Sequence, residues 1–228
     1  MRTLVALLLV SFLGGCTAIR TVYNQADHLA AWRADDYFDL TDEQKRLFRA
    51  SFSRLHAWHR STQLQAYAGL LEAIDARLAR GPGLQDVAWA LDGVKDQSRP
   101  LVQQGYREAA AFLATLTEAQ IVHARRRFDR HNRKFAKERG VGSPAAEQKR
   151  LRAKDDLDKI EHWSGPHDWD QRARLTALSE AQPVDAALRN QDRMRRQREF
   201  IALLKERTDP GFPERLRAWL LDWNAGRP

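Results

Sequence analysis

His56 and His59 stand three residues apart in a stretch whose apolar positions repeat at helical spacing, so both imidazoles fall on one side of a helix, where they could act as two ligands to a divalent metal. Glu161-His162 and His167-Asp168 carry the other donor types such a site needs, but no motif ties them to the first pair. A surface or packing role beside Trp58 therefore suits these histidines better. Asp35, Asp36 and Asp39 could pair as general acid and base only if folded against one another. Just ahead of a helix start, they suit capping and dipole compensation. No Gly-x-Ser-x-Gly, phosphate-binding loop, dinucleotide fingerprint or His-Glu-x-x-His is present. The expectation is a protein that binds rather than catalyses, with no metal and no cofactor.

Composition narrows the class further. The chain has 228 residues, 43% of them apolar, one cysteine and a formal charge of +8. A single cysteine excludes a disulfide framework and a cysteine-rich zinc module. Apolar content at this length supports a real core despite 30% charged residues.

The elements that must position these residues read as helices throughout, an all-α bundle of long, partly kinked antiparallel helices. Asn24 with Asp27 is placed to cap a short helix over 25–35. Thr41 and Gln44 form a capping box, the hydroxyl set for the Gln44 amide and the Gln44 side chain for the Thr41 amide, with Leu40 as staple. Leu47, Phe48, Phe52 and Leu55, then Leu64, Tyr67, Leu70, Leu71, Ile74 and Leu78, step by three and four to a stop at Gly81-Pro82-Gly83. A kink is expected near Ser61-Thr62. A second arm runs through Leu84, Val87, Leu91 and Val94, bends at Arg99-Pro100 and resumes to Leu116. Thr117 with Gln120 is a second capping box and Asp168 with Gln171 a third. Ser179 to Gln182 has the same form, but Pro183 turns it into a kink. Helices over 145–163, 185–207 and 213–223 complete the chain. The last carries Leu216, Trp219, Leu220 and Trp223 on one face, a patch an envelope partner or a membrane interface could use. The seven tryptophans are expected mostly as filler between helices.

The amino end decides the compartment. Met1-Arg2 precede an apolar run from Thr3 to Leu13, too short for the roughly 20 residues that span a bilayer. Leu13-Gly14-Gly15-Cys16 then resembles a bacterial lipobox. That resemblance implies cleavage between Gly15 and Cys16 and a lipidated Cys16, with two or three acyl chains making a stable anchor. Residues 1–15 are then a signal peptide, 16–23 a lipidated tether and 24–228 a single helical domain. Thr17, where Asp would mark inner-membrane retention, implies the periplasmic face of the outer membrane.

Following the lipobox, Tyr23-Asn24-Gln25-Ala26-Asp27, Tyr37-Phe38-Asp39-Leu40-Thr41 and Trp58-His59-Arg60 resemble an uncharacterised family of bacterial lipoproteins, the domain-of-unknown-function family of 6279 type. The likeness covers nearly the whole chain and implies no catalytic residues. The Leu-Thr-x-x-Gln repeats at Leu40 and Leu116 are also similar to the motif of small all-helical periplasmic stress chaperones, which implies a holdase as the alternative role.

Charge is the remaining functional signal. Residues 17–120 hold 12 basic against 13 acidic side chains, whereas 121–228 hold 25 against 17. Arg125, Arg126, Arg130, Arg133 and Lys134, joined by Arg193 and Arg196, are the residues expected to meet an anionic partner. A periplasmic address argues against nucleic acid and for anionic lipid or an acidic envelope protein.

Overall fold

The structure is a computed structural model that describes residues 20–81 and 83–222; Gly15, Cys16, the signal segment and Trp223 lie outside the described residues. The fold is all-α, and no strand occurs among the described residues. It divides into two compact units, one built from residues up to Ile121 together with Glu206–Leu221, the other from Val122–Lys205 together with Asp222.

In the first unit, residues 20–24 are already helical and Gln25 forms a turn before α1 (Ala26–Phe38). The Asn24 side chain accepts from Arg60 at 2.6 Å, so it does not cap α1 as its spacing suggested. Asp35 and Asp36 lie in the last turn of α1 and do not cap α2 (Asp42–Trp58), whose N-cap is Thr41. Asp39 is left-handed (φ 51°), and its N–H reaches the Asp35 carbonyl at 2.7 Å, while the Asp35 carboxylate accepts from the Leu40 amide at 2.9 Å. Asp35 thus builds the corner and also pairs with Lys45 at 3.1 Å.

The expected kink is a π-helical turn, His59–Gln63, in which the Leu64 amide reaches back to the His59 carbonyl. Its cause is local: the Thr62 and Ser61 hydroxyls donate to the Trp58 carbonyl at 2.8 and 3.1 Å. Side-chain donors at that carbonyl compete with the regular ladder and allow a wider turn. The arm continues as α3 (Leu64–Leu78), reverses at Gly81 (φ +85°) and returns as α4 (Leu84–Asp96) and α5 (Ser98–Ala114). The break between α4 and α5 falls at Gln97, ahead of the expected Arg99-Pro100. Pro100 sits in the first turn of α5, where a missing N–H costs nothing.

The two arms pair antiparallel in one continuous register. Arg77 meets Asp86 at 2.8 Å, Arg54 meets Glu108 through two bonds of 2.8 and 2.6 Å, and Phe48 packs edge-on to Phe112. Glycines set how closely they approach. A methyl on Gly93 would lie 2.8 Å from a Leu70 side-chain carbon, and one on Gly105 3.1 Å from Leu55. Helix α10 (Phe212–Leu221) closes the unit against α5, with Tyr106 donating to Glu214 at 2.8 Å and Phe212 and Leu216 each 1% exposed. Leu216 is therefore core rather than part of an open patch. Trp219 is half-buried.

The second unit holds most of α6 (Glu118–Glu138), α7 (Ala145–Ser164), α8 (Trp169–Ala181) and α9 (Ala186–Lys205). α7 and α8 form a tight hairpin. Arg152 donates to the carbonyls of Ser179, Gln182 and Pro183, and Glu161 accepts from Arg172 at 2.6 Å. Ser179 does not cap a helix; its hydroxyl donates to Asp156 at 2.6 Å. Pro183 forces Gln182 into an extended conformation (ψ 149°), so the chain breaks there instead of kinking. Antiparallel to α6 runs α9, with Phe128 edge-on to Phe200 and the Arg193 guanidinium over the Phe135 ring. Trp32, Trp163 and Trp169 are 65–82% exposed, against the expectation of interhelical filler.

Candidate functional site

Three constellations emerge from these elements, two of them structural clasps and one a charged surface. The first joins the two capping boxes. Thr41 accepts from the Gln44 amide and Thr117 from the Gln120 amide, both at 3.3 Å, as the sequence requires. Beyond the caps, Gln44 Nε2 donates to Gln120 Oε1 at 3.0 Å and Gln120 Nε2 donates to Gln44 Oε1 at 2.6 Å. The remaining hydrogens go to the carbonyls of Thr115 (2.9 Å) and Asp39 (3.0 Å). Each carboxamide thus fills both donor and both acceptor positions, and the two Leu-Thr-x-x-Gln segments face each other with local two-fold symmetry. Leu40 and Leu116 are buried on either side. Asp168 and Gln171 form their capping box alone and exposed.

The second clasp sits on the π-turn. Tyr23 Oη lies 2.8 Å from His59 Nδ1, Tyr67 Oη lies 3.1 Å from His59 Nε2, and Arg60 stacks over the Tyr23 ring while bonding Asn24. Two sequence motifs distant in the chain, Tyr23-Asn24 and His59-Arg60, thereby touch. Burial, then the neighbouring His56, pushes the His59 pKa below its ordinary value. Burial, then Tyr23, raises that of Tyr67. Both His59 nitrogens are engaged, Glu161 is held by Arg172, and His167 lies near Ser164. Among the described residues no three His, Cys, Asp or Glu side chains converge as metal ligands.

The third constellation is the basic face of the second unit. Residues 122–205 carry 21 basic against 13 acidic side chains, so the charge follows the structural unit as well as the sequence half. Arg125, Arg126, Arg130, Arg133 and Lys134 are all exposed. Phe128, Asn132 and Phe135 face α9, which puts Arg126, Arg130, Arg133 and Lys137 on the opposite side at spacings of four, three and four. Eleven residues of helix make this row about 16 Å long. Among the described residues none of these four cations has a salt-bridge partner, and Lys134 pairs with Glu138 at 3.7 Å. Lys137 was in the charge count without being singled out; the four-three-four step was its signal.

Arg193 and Arg196 do not join the row. Arg193 donates to Asn132 Oδ1 at 2.9 Å and covers Phe135, and Arg196 bonds Glu199 at 3.3 Å. Arg195 likewise bridges Asp192 and Glu199, and Arg189 is held by Asp185. Three of the six basic side chains of α9, Arg189, Arg195 and Arg196, are held by carboxylates, whereas the row on α6 is displayed.

Two concavities accompany these features. In the first unit a cavity of about 360 Å³ is lined by Phe38, Phe48, Phe52, Leu55, Ala109 and Phe112, with the Arg54–Glu108 pair at its edge. In the second, a groove of about 340 Å³ between α6 and α9 has Phe128, Met194 and Ile201 on its floor and Arg125, Arg198 and Lys205 at its rim. No helix among the described residues is long and apolar enough to cross a membrane.

No curated protein and no solved structure matches the chain. A family model does match, over residues 36–225, and it takes in both the clasp of paired capping boxes and the basic face: the chain belongs to a family of unknown function, DUF6279.

Proposed function

We propose that this is an outer-membrane-anchored, periplasm-facing lipoprotein that binds an anionic partner, lipid headgroups or an acidic envelope protein, without catalysing a reaction. The amino-terminal lipobox supports the address. The observation that carries the binding reading is the row Arg126, Arg130, Arg133 and Lys137, exposed and unpaired while neighbouring arginines of α9 are spent on intramolecular carboxylates. An unpaired row at roughly one charge per helical turn presents its field to solvent, where it attracts a polyanion.

The test is co-sedimentation with phosphatidylglycerol-containing vesicles across a salt series. Attraction is about 1 kcal/mol per basic residue near an anionic surface. Replacing all four by Gln should therefore weaken binding by a hundredfold or more and flatten its salt dependence. An unchanged salt response would reduce the row to a solvated helix face. The anchor has its own test: Cys16→Ser should move the protein out of the membrane fraction, and retention after a salt wash would refute lipid attachment.

The apolar cavity of the first unit favours a second reading, a holdase for partly unfolded chains. It predicts that the purified protein suppresses aggregation of a denatured client, and that Phe52→Asp abolishes this while leaving vesicle binding intact.

A further inference from the structure

We propose that the hairpin formed by α3 and α4 is a self-association surface, on which a second copy of this chain packs to form a four-helix bundle. The proposal concerns the first unit and is independent of the basic row. Neither α3 nor α4 contains a single buried residue. Leu71, Leu78, Leu84, Val87, Leu91 and Val94 are instead 64, 53, 91, 53, 58 and 60% exposed.

Their spacing is not scattered. On α4 the four step by three, four and three, and on α3 the two are one heptad apart, the periods of a seam that meets another helix. The seam between the two helices is already made by other residues, with Arg77 bonded to Asp86 and stacked on Trp89, and Leu70 against Gly93. Each apolar stripe lies about a quarter-turn or more beyond that seam. Because the helices run antiparallel, equal rotations in chain sense bring both stripes to the same side of the hairpin. The result is one continuous aliphatic face rather than isolated exposed leucines, and faces of this kind on soluble domains mark interaction sites.

Charge and area choose the occupant. Residues 64–96 carry three basic against five acidic side chains, and an acidic hairpin is repelled by an anionic leaflet where a membrane-lying helix would be rich in Lys and Arg. Six aliphatic side chains exposed to this degree offer roughly 500 Å² per protomer, and the helix surface around them adds to it. Two such faces together exceed about 1,000 Å², the lower bound for a specific interface. A second copy supplies a face of identical length and spacing, and a two-fold axis between two hairpins gives the four-helix arrangement in which both stripes are covered.

The experiment is cysteine crosslinking of the full-length protein in cells, with Leu71, Val87, Leu91 and Val94 changed singly to Cys and a mild oxidant added. Disulfides form only when Cα atoms come within about 7 Å, so at least one position near the axis should yield a dimer, roughly tenfold above an exposed Trp169→Cys control in the other unit. Adding Leu78→Glu to the crosslinking variant should abolish that band while helicity is unchanged, since residue 78 is exposed. Overturning results are no dimer from any of the four positions, an equal band from the Trp169→Cys control, or crosslinks to a different protein in place of the dimer.

Discussion

Gln44 and Gln120 show how much a single polar side chain can hold when every hydrogen and lone pair is used. They are 7% exposed, 76 positions apart, and bonded to each other and to each other's corner carbonyl. Truncating one leaves the partner carboxamide, a backbone carbonyl and an N-cap amide unpaired at once, each costing about 1–3 kcal/mol when buried. Gln120→Ala should therefore destabilise the fold by about 3 kcal/mol, measured by urea denaturation. Gln44→Ala should cost about as much, and the double variant should cost well short of the sum because the second change removes an already orphaned group. His59 gives a second residue-scale expectation. Its folded pKa lies below its ordinary 6.5, so the neutral imidazole is the form the fold favours between Tyr23 and Tyr67. Its contribution is complete above pH 6.5 and is lost as pH falls through the lowered folded value. His59→Gln should flatten the decline of melting temperature below pH 6.5 that this group gives the parent protein.

At the scale of elements, the arms are held at a spacing that their glycines set. Gly105→Ala, with its new methyl 3.1 Å from Leu55, should lower stability by about 1 kcal/mol or more, read from thermal unfolding, whereas Gly69→Ala on the other arm, which meets nothing within 4 Å, should not. Most of these helices were legible in the sequence because capping boxes and three-four apolar steps are local signals. Thr41, Thr117 and Asp168 cap helices where their spacing says they should. The misreadings have a common physical origin in competition from elsewhere in the chain. Asn24 was taken from its helix by Arg60, and Asp35 by a corner whose left-handed Asp39 has no sequence signature. The partnership of Gln44 with Gln120 was invisible for the same reason, although two copies of one motif were its only available hint. Of the basic residues chosen from sequence, those on α6 stayed displayed and those on α9 did not. Spacing accounts for it only in part: Asp192 and Glu199 lie four and three residues from Arg196, but Asp129 stands three and four residues from Arg126 and Arg133, and Arg193 is held across the pair by Asn132.

For the molecule as a whole, the two candidate surfaces belong to different units, the basic row to one and the aliphatic hairpin to the other. Vesicle binding should accordingly survive Leu71→Glu and Leu91→Glu, and crosslinking of the hairpin should survive loss of the four cations; a joint loss in either experiment would show the two surfaces to be one. The first unit is also discontinuous in the chain. Its α10 returns to cover α5 only after Val122–Lys205 of the second unit, with Tyr106 and Glu214 108 positions apart and Arg207 bonded to the Leu116 carbonyl at 2.6 Å. A polypeptide made or exported amino end first therefore delivers α5 long before the helix that shields it. Through that interval the pocket that later receives Phe212 and Leu216 is open to proteases, chaperones and premature association. A chain stopped at residue 205 would keep the basic row and lose the plug of the first unit, so nonsense alleles near the carboxyl end should act on lifetime in the cell before they act on charge.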